Sequence, residues 1–334
     1  MESSAELQTL VEKSGFSGAI TVERDGESMW SAAAGYANRS EGLPNTLETR
    51  FATASATKGF TALTVASLVE SGRLSLATPL VELTGADLVG VDDGVTIEHL
   101  LGHTSGVGDY LDEEQLGDID DHVLGVPAHQ LEGPADYLPL LNAHPQVSPP
   151  GSRFAYNNSG YVMLALAAER AARMPYHQLV RERVFDAAAM TSSDFFRSDN
   201  LPRGAAKGYL ENGRTNVFHL PVIGTGDGGA YTTVADMSRL WSALLGGEII
   251  DRALVDMMTA PRQTVPSGRQ QYGLGFWIGP DHRTIMLEGM DAGVSFRSAH
   301  QPATGRGYTI VSNTSSGVWP IAKFLDSELL DERP

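Results

Sequence analysis

The sequence contains no cysteine, which excludes disulfide bonds, thiolate metal sites and a cysteine nucleophile. Positive charge is also scarce, because 24 lysine and arginine residues stand against 41 aspartate and glutamate residues, for a formal net charge of -17. A chain this acidic offers no basic surface to a phosphate backbone, so we expect no nucleic-acid partner. Any nucleophile in this protein must be an oxygen or a nitrogen atom.

Long apolar segments are absent as well. No uncharged apolar run reaches the roughly 20 residues of a membrane-spanning helix, and the opening MESSAELQTLVEKSG has acidic residues where a signal peptide carries basic ones. We therefore expect a cytoplasmic protein with no membrane partner. None of the nine histidines has the spacing of a His-Glu-x-x-His or similar ligand set, so we expect neither a metal nor another cofactor.

The remaining composition, 42% hydrophobic and 19% charged, is that of an ordinary globular protein. Strand patterns occur at both ends of the chain. Asp25-Gly26, a dipeptide typical of two-residue hairpins, separates strands predicted at 18–24 and 27–34. Later strands are predicted at 272–278, 284–287, 294–300 and 307–312. We expect all of them to form one antiparallel sheet, covered by a short opening helix and an amphipathic helix near 320–330.

The middle of the chain has a different pattern. Between 97 and 202, helical patches such as 160–173 are broken by loops containing proline and glycine, and strand alternation is almost absent. We therefore predict an α/β protein of the α+β type, with a discontinuous sheet lobe made of 1–96 and 203–334. Residues 97–202 form an inserted, mainly helical lobe, and the active site lies in the cleft between the two lobes.

Ser55-Ala56-Thr57-Lys58 is a Ser-x-x-Lys motif at the point where a loop enters a helix predicted over 58–71. Residues three apart on a helix share a face, so the lysine amine can reach the serine hydroxyl. The free N–H groups and positive dipole end of a helix start favour negative charge on an attacked carbonyl. The structural alternative is a serine N-cap followed by a solvated lysine. However, Lys58 begins the most apolar helix, where a cation without partners is costly.

This motif belongs to the first of five segments that follow one another along the chain. They are FATASATKGFTALTVASLVESGRLSL, VTIEHLLGHTSGVGDY, PPGSRFAYNNSGYVMLALAAER, GDGGAYTTVADMSRLW and YGLGFWI. With these segments the chain resembles the class C β-lactamase and D,D-peptidase-like serine hydrolases, a family that also includes esterases, D-amino-acid amidases and acyltransferases. The resemblance implies a β-lactamase/transpeptidase-like fold. It also implies a penicillin-binding-protein-like serine hydrolase that forms an acyl-enzyme with a small ester, amide or acyl substrate.

The resemblance also implies the roles of the site residues. Tyr156-Asn157-Asn158 matches the family's Tyr-x-Asn, which places the Tyr156 oxygen near the Ser55 hydroxyl, to take its proton and return it to the leaving group. Asn158 would donate to a substrate carbonyl and help to hold Lys58. Since a phenol titrates near ~10, Lys58 would have to lower the pKa of Tyr156. A neutral Lys58 that takes the proton itself is the alternative, and the sequence leaves both open.

Two further candidate residues with aromatic rings belong to the segment VTIEHLLGHTSGVGDY. His103 could be taken for a general base, but the resemblance makes it a structural residue that braces the cleft floor. Tyr110 is expected to line the cleft wall.

The third motif of the family, a Lys/His-x-Gly triplet on the strand beside the cleft, is altered here. Alignment on Asp291-Ala292-Gly293 puts Leu287-Glu288-Gly289 there, and a one-residue shift puts Glu288 at the basic position, so neither register has a cation. The resemblance makes the N–H of Met290 the second oxyanion donor, beside that of Ser55. We expect Glu288 to face solvent, with attraction of an amine as the alternative.

The lost cation bears on the substrate. In family members that bind penicillins or peptides ending in D-alanine, the basic residue helps to hold the substrate carboxylate, which leucine cannot do. We therefore expect esters, amides or acyl-transfer substrates without a carboxylate beside the reacting carbonyl.

The competing hypothesis is a catalytically silent binding or sensor protein, which only the altered motif supports. An unrelated α/β-hydrolase lacks support because the sequence has no Gly-x-Ser-x-Gly elbow. The acyl acceptor and the oligomeric state stay open.

Overall fold

A computed structural model describes residues 2–113, 116–266, 268 and 270–330. Its helices are α1 Glu2–Lys13, α2 Thr57–Glu70, α3 Leu80–Thr84, α4 Ile97–Leu101, α5 Leu138–Asn142, α6 Asn158–Ala172, α7 Tyr176–Val180, α8 Val234–Gly246, α9 Arg252–Thr259 and α10 Trp319–Leu330. Its strands are β1 Gly18–Arg24, β2 Glu27–Ala34, β3 Tyr36–Asn38, β4 Leu43–Pro44, β5 Phe51–Ala52, β6 Asp194–Phe195, β7 Ala230–Thr232, β8 Gln263–Thr264, β9 Gln271–Tyr272, β10 Trp277–Ile278, β11 Ile285–Asp291, β12 Val294–Gln301 and β13 Arg306–Ser312.

The main sheet joins the two ends of the chain. Eight strands lie in the order β2-β1-β13-β12-β11-β10-β9-β8, and each neighbouring pair is antiparallel. The first and last long strands, β1 and β13, pair from Gly18 with Ser312 to Arg24 with Arg306. This is the single antiparallel sheet of early and late strands that the alternation predicted.

Two of the predicted strands differ from those observed. The segment 272–278 is not one strand, because Gly275 has a φ of 94° and the Gly273 N–H donates to the Phe276 carbonyl at 2.9 Å, which makes a turn between β9 and β10. The strand predicted at 284–287 continues to Asp291 as β11. Pairing with β12 carries it on in continuous register, although Glu288 and Gly289 end the apolar pattern in the sequence.

Apolar side chains cover both faces of the sheet. On one face α1 and α10 pack through Leu7, Val11, Ile321 and Leu325. On the other face the core continues into α2, α6 and α8. Every residue of α2 from Thr57 to Leu68 is buried, in accordance with its apolar pattern on nearly all sides. The nucleophile motif is thus attached to the most enclosed helix of the described chain.

The middle of the chain is mainly helical. Between 97 and 202 the described residues form α4 to α7 with short helical turns, and β6 is the strand they contribute. The division into lobes at 96/97 and 202/203 stays a prediction. Within the described ranges, no helix has the length and apolar character needed to cross a membrane.

The packing of α2 yields a stability prediction. Leu63 is fully buried in α2, so Leu63→Ala should lower the free energy of unfolding by about 2–5 kcal/mol through lost apolar burial and a residual cavity. Val89 is 62% exposed, and Val89→Ala should change it by less than about 0.5 kcal/mol. Urea unfolding measures both values. Equal effects of the two substitutions would contradict the assignment of α2 to the core.

Candidate active site

Ser55 lies in a short helical turn, Ala54–Ala56, that leads directly into α2. The preceding residue, Ala54, has a φ of 47°, a left-handed conformation that costs a non-glycine residue energy. Neighbouring hydrogen bonds hold this turn, because the Thr53 N–H donates to the Ala230 carbonyl at 2.8 Å and the Thr57 hydroxyl donates to the Ala54 carbonyl at 2.8 Å. The serine hydroxyl is therefore presented from a constrained backbone.

The Lys58 amine is buried, with 2% of the residue exposed, but it is fully hydrogen bonded. Its Nζ lies 2.9 Å from Ser55 Oγ and 2.7 Å from Asn158 Oδ1. The third partner is the carbonyl of Asp227, at 2.8 Å. Each of the three hydrogen-bonding positions of the Lys58 nitrogen therefore has a partner. Lys58 is therefore not the solvated lysine of the structural alternative, and it joins Ser55 to the start of α6 and to the loop before β7.

Tyr156 reaches the same point from the helical segment. Its hydroxyl is near enough to the Ser55 side chain to interact with it, and its ring centroid lies 4.9 Å from Lys58 Nζ. Trp277 stacks on the phenol ring at 5.8 Å, and the His103 ring lies 4.5 Å away. The structure thus brings Ser55, Lys58 and Tyr156 together.

His103 supports this arrangement from behind. Its Nδ1 accepts the backbone N–H of Asn157 at 3.1 Å, and its ring packs against Tyr156, Tyr161 and Tyr272. Burial holds the pKa of His103 well below its usual value, so the ring is neutral and accepts at Nδ1. These contacts are those of a bracing residue, as the resemblance implied.

The pKa shifts at the centre differ from the sequence-based expectation for Tyr156. Burial raises the pKa of the Tyr156 phenol well above its ordinary value, and the carboxyl of Glu113 raises it further. Burial lowers the pKa of the Lys58 amine, against the attraction of nearby carboxyl groups led by that of Asp227. The pKa of Tyr156 is thus shifted in the direction opposite to the one that a phenol base would require. The two shifts favour a protonated phenol beside a neutral amine.

The Asn158 side chain is oriented by the loop 109–113. While its oxygen accepts from Lys58, its amide nitrogen donates to the Leu111 carbonyl at 2.8 Å and lies 3.4 Å from carboxylate oxygens of Asp109 and Glu113. Both amide hydrogens are thus directed into the loop. Donation to a substrate carbonyl, which the resemblance implied for Asn158, would require these contacts to break.

The strand β11 approaches Ser55 through Gly289. A Cβ atom on this glycine would stand 2.5 Å from the Ser55 nitrogen and 2.7 Å from the Thr53 carbonyl oxygen, so only glycine allows the contact. Leu287, two residues earlier on the same face, is 2% exposed and packs on Gly59 of α2. Leu287 therefore makes an apolar contact with α2.

Glu288 points to the opposite face and does not face solvent freely, contrary to expectation. It accepts from the Arg297 guanidinium at 2.5 Å, and the same guanidinium donates to Asp326 of α10 at 2.7 Å. Arg297 is itself 9% exposed. Because its charge is already paired, Glu288 is a poor candidate for holding a substrate amine.

Two cavities meet at Ser55. We call the first the inner chamber; its lining includes Ser55, Tyr110, Tyr137, Phe196, Asp227 and Asp291. We call the second the outer cleft; its lining includes Ser55, Tyr156, Trp277, Glu288, Met290 and Trp319. Tyr110 lines the chamber wall as expected, and its hydroxyl donates to Asp227 at 2.5 Å. Met290 is 43% exposed at the edge of the outer cleft.

Sequence reasoning missed the carboxyl groups around Lys58. They are Asp109, Glu113, Asp227 and Asp291, and all of them act on the pKa of the Lys58 amine. Burial raises the pKa of Asp109 to about 6 and that of Asp291 to about 7. Three of these positions stand in or beside segments that carried the resemblance. Acidic residues in these segments could have been considered as partners of a buried lysine. Their positions are far apart in the sequence, so no motif spacing predicts that they come together.

Comparison with known proteins agrees with this geometry. A sequence model of the Beta-lactamase family matches residues 4–323. The crystal structure of a penicillin-binding protein from Bacillus halodurans is 37% identical, with a TM-score of 0.90 over 96% of this chain and 99% of that one. A D-amino acid amidase from Ochrobactrum anthropi, 19% identical with a TM-score of 0.82 over 99% and 98% of the two chains, shares the fold. The predicted family and fold are confirmed.

Curated relatives are more distant and longer. PbpX of Bacillus subtilis strain 168, which is named as a penicillin-binding protein, is 25% identical over 279 residues. The alignment covers 82% of this chain and 65% of that relative. The chain therefore spans less than two thirds of this relative's length.

The close contact of β11 with Ser55 yields a prediction at Gly289. Gly289→Ala should slow labelling of Ser55 by a fluorophosphonate by about 10²-fold or more, because the strand must move away from the attacked group. It should also destabilise the fold by about 1–3 kcal/mol. Gly117 has open space around it, so Gly117→Ala is the matched control. Labelling of the Gly289 variant at the wild-type rate would show that this contact is not needed.

Proposed function

Because this chain belongs to the Beta-lactamase family, we propose that it is a serine hydrolase that forms an acyl-enzyme on Ser55 with ester or amide substrates. The observation that carries the proposal is the buried amine of Lys58, 2.9 Å from Ser55 Oγ. A lysine that is buried, fully hydrogen bonded and lowered in pKa is typical of a proton acceptor beside a nucleophile. A penicillin-binding protein, a D-amino acid amidase and a hydrolase with promiscuous acyltransferase activity share the fold.

In the proposed mechanism, neutral Lys58 takes the proton from the Ser55 hydroxyl as its oxygen attacks the substrate carbonyl carbon. The N–H groups of Ser55 and Met290 stabilise the resulting oxyanion. The proton then passes through the Tyr156 hydroxyl to the leaving group, whose bond to the carbonyl carbon breaks. Water reverses these steps and releases the acid, and an amine or alcohol in place of water would give acyl transfer. Tyr156 relays a proton in this scheme and need not ionise beforehand.

The proposed substrates lack a carboxylate beside the reacting carbonyl. The residue at the third-motif position, Leu287, is buried against α2. Among the described residues lining the outer cleft, Arg153 is the cationic side chain. Leu287 carries no charge, and Arg153 does not lie on β11, so neither residue places a cation on that strand next to Ser55. Esters and amides with a neutral or cationic acyl group suit this site better than penicillins.

Fluorophosphonate labelling tests the proposed function. Wild-type protein should be labelled at Ser55, and Ser55→Ala should not be labelled. Since burial lowers the pKa of Lys58, the labelling rate should rise with pH as the amine loses its proton, with a midpoint below the ordinary lysine value of about 10.4. Intact-protein mass spectrometry at a series of pH values measures both quantities.

The variants of the proton acceptor serve as controls. Lys58→Met should abolish the pH-dependent rise, whereas Tyr156→Phe should keep its midpoint and reduce turnover of an ester, because the relay to the leaving group is lost. Unlabelled wild-type protein, or equal labelling of Ser55→Ala, would favour the catalytically silent binding protein instead.

Substrate preference gives a separate prediction. Purified protein should hydrolyse a short-chain p-nitrophenyl ester with a kcat/KM at least about tenfold above that for nitrocefin, because the carboxylate of nitrocefin meets no cation on β11. Release of p-nitrophenol and the colour change of nitrocefin are followed under one set of conditions, with Ser55→Ala as the background. Faster hydrolysis of nitrocefin would contradict the proposed substrate class.

A further inference from the structure

Asp291 ends β11 two residues after Gly289, and strand alternation places the two on the same face. That face is directed toward Ser55, because a Cβ on Gly289 would meet the Ser55 nitrogen. The Asp291 carboxylate lies beside the loop before β7, where a Cβ on Gly228 would stand 3.7 Å from Oδ2. Ser55, Gly228 and Asp291 all line the inner chamber. Asp291 is therefore a wall of the space next to the nucleophile.

The Asp291 carboxylate differs from its acidic neighbours in its partners. Asp109 accepts two backbone N–H groups at the start of α6. Asp227 accepts a tyrosine hydroxyl, and Glu288 is paired with an arginine. Among the residues that the structure describes, none donates a hydrogen bond to Asp291 or forms an ion pair with it, and the cationic group that acts on the pKa of its carboxyl is the amine of Lys58. A partly buried carboxylate without a partner is costly, and a bound group that donates to it removes that cost.

The rest of the inner chamber suits a cationic organic group. Its walls carry the aromatic rings of Tyr110, Tyr137, Phe196 and Tyr231, and its described lining contains no lysine or arginine. Aromatic faces attract an ammonium group, and a carboxylate among them adds a charge-assisted hydrogen bond. A carboxylate ligand, by contrast, would meet Asp227 and Asp291.

We propose that Asp291 is a specificity-determining residue that pairs with an ammonium group a few bonds from the scissile carbonyl. The preferred substrates are then esters or amides of amino acids with a free amine. This inference rests on the proposed function, since it concerns substrates of the Ser55 acyl-enzyme. It assigns the inner chamber to the ammonium-bearing part of the substrate and leaves the outer cleft to the remainder.

The test compares two p-nitrophenyl esters of nearly equal shape, those of alanine and of isobutyric acid. They differ in having an ammonium or a methyl group on the carbon next to the carbonyl, and both enantiomers of alanine are used. Asp291→Asn keeps the size of the side chain and removes its charge. It should lower the ratio of kcat/KM for the alanine ester to that for the isobutyrate ester by about 10- to 100-fold, as expected for loss of a charged hydrogen bond.

The difference in intrinsic reactivity between the esters cancels, because the same two are compared in wild type and variant. Asp256 has a side chain that is 71% exposed, so Asp256→Asn is the matched control and should leave the ratio as in wild type. In wild-type protein, isopropylammonium should also inhibit hydrolysis of the isobutyrate ester more strongly than isopropanol does. This second measurement applies even where the Asp291 variant does not fold.

The ammonium site would be overturned by an unchanged ratio in a folded Asp291→Asn variant, or by equal inhibition by the amine and the alcohol. Labelling of Ser55 in the same wild-type protein would still support the proposed function. Absence of both fluorophosphonate labelling and ester hydrolysis in wild-type protein would overturn the proposed function, and this inference with it. The labelling experiment therefore separates the two failures.

Discussion

The amine of Lys58 has to be kept away from water and yet fully hydrogen bonded, and parts of the chain far apart in sequence meet to satisfy it. Ser55 comes from the turn before α2, Asn158 from the start of α6, and the carbonyl of Asp227 from the loop before β7. An unpaired cation in the apolar core would cost several kcal/mol. The requirement to pair this amine therefore joins the sheet, the buried helix and the helical segment at one point.

The electrostatics of the site follow from that burial. A low dielectric around Lys58 and Tyr156 favours the neutral form of each, so the amine can accept a proton and the phenol can pass one on. The surrounding carboxyl groups oppose the loss of charge on Lys58, but burial raises the pKa of Asp109 and Asp291 as well. Burial thus shifts the amine, the phenol and these two carboxyl groups toward their neutral forms.

The packing of β11 against α2 and Ser55 explains the residues found at the altered third motif. Gly289 brings the backbone of the strand onto Ser55, and Leu287 uses the same face to pack on Gly59. The next position on that face, Asp291, has a carboxyl group, whereas the third motif of the family has a basic residue two positions before the glycine. The neighbouring Glu288 belongs to an ion-pair network that ties β11 to α10. Alternation along β11 therefore directs Leu287, Gly289 and Asp291 toward α2 and Ser55, and directs Glu288 toward Arg297 and α10.

Local pattern in the sequence was enough to predict the hairpin β1–β2, the apolar helix α2, the later long strands and the Ser-x-x-Lys motif, because each depends on residues close along the chain. Its segments in order were enough to identify the family. Only the tertiary structure decided which face Glu288 and Leu287 occupy, where the Asn158 amide points, and that Asp291 shares a cavity with Ser55 and has no hydrogen-bond partner in the part of the chain that is described. Those properties depend on burial and on partners from distant segments, and burial is what sets the pKa of Lys58 and Tyr156.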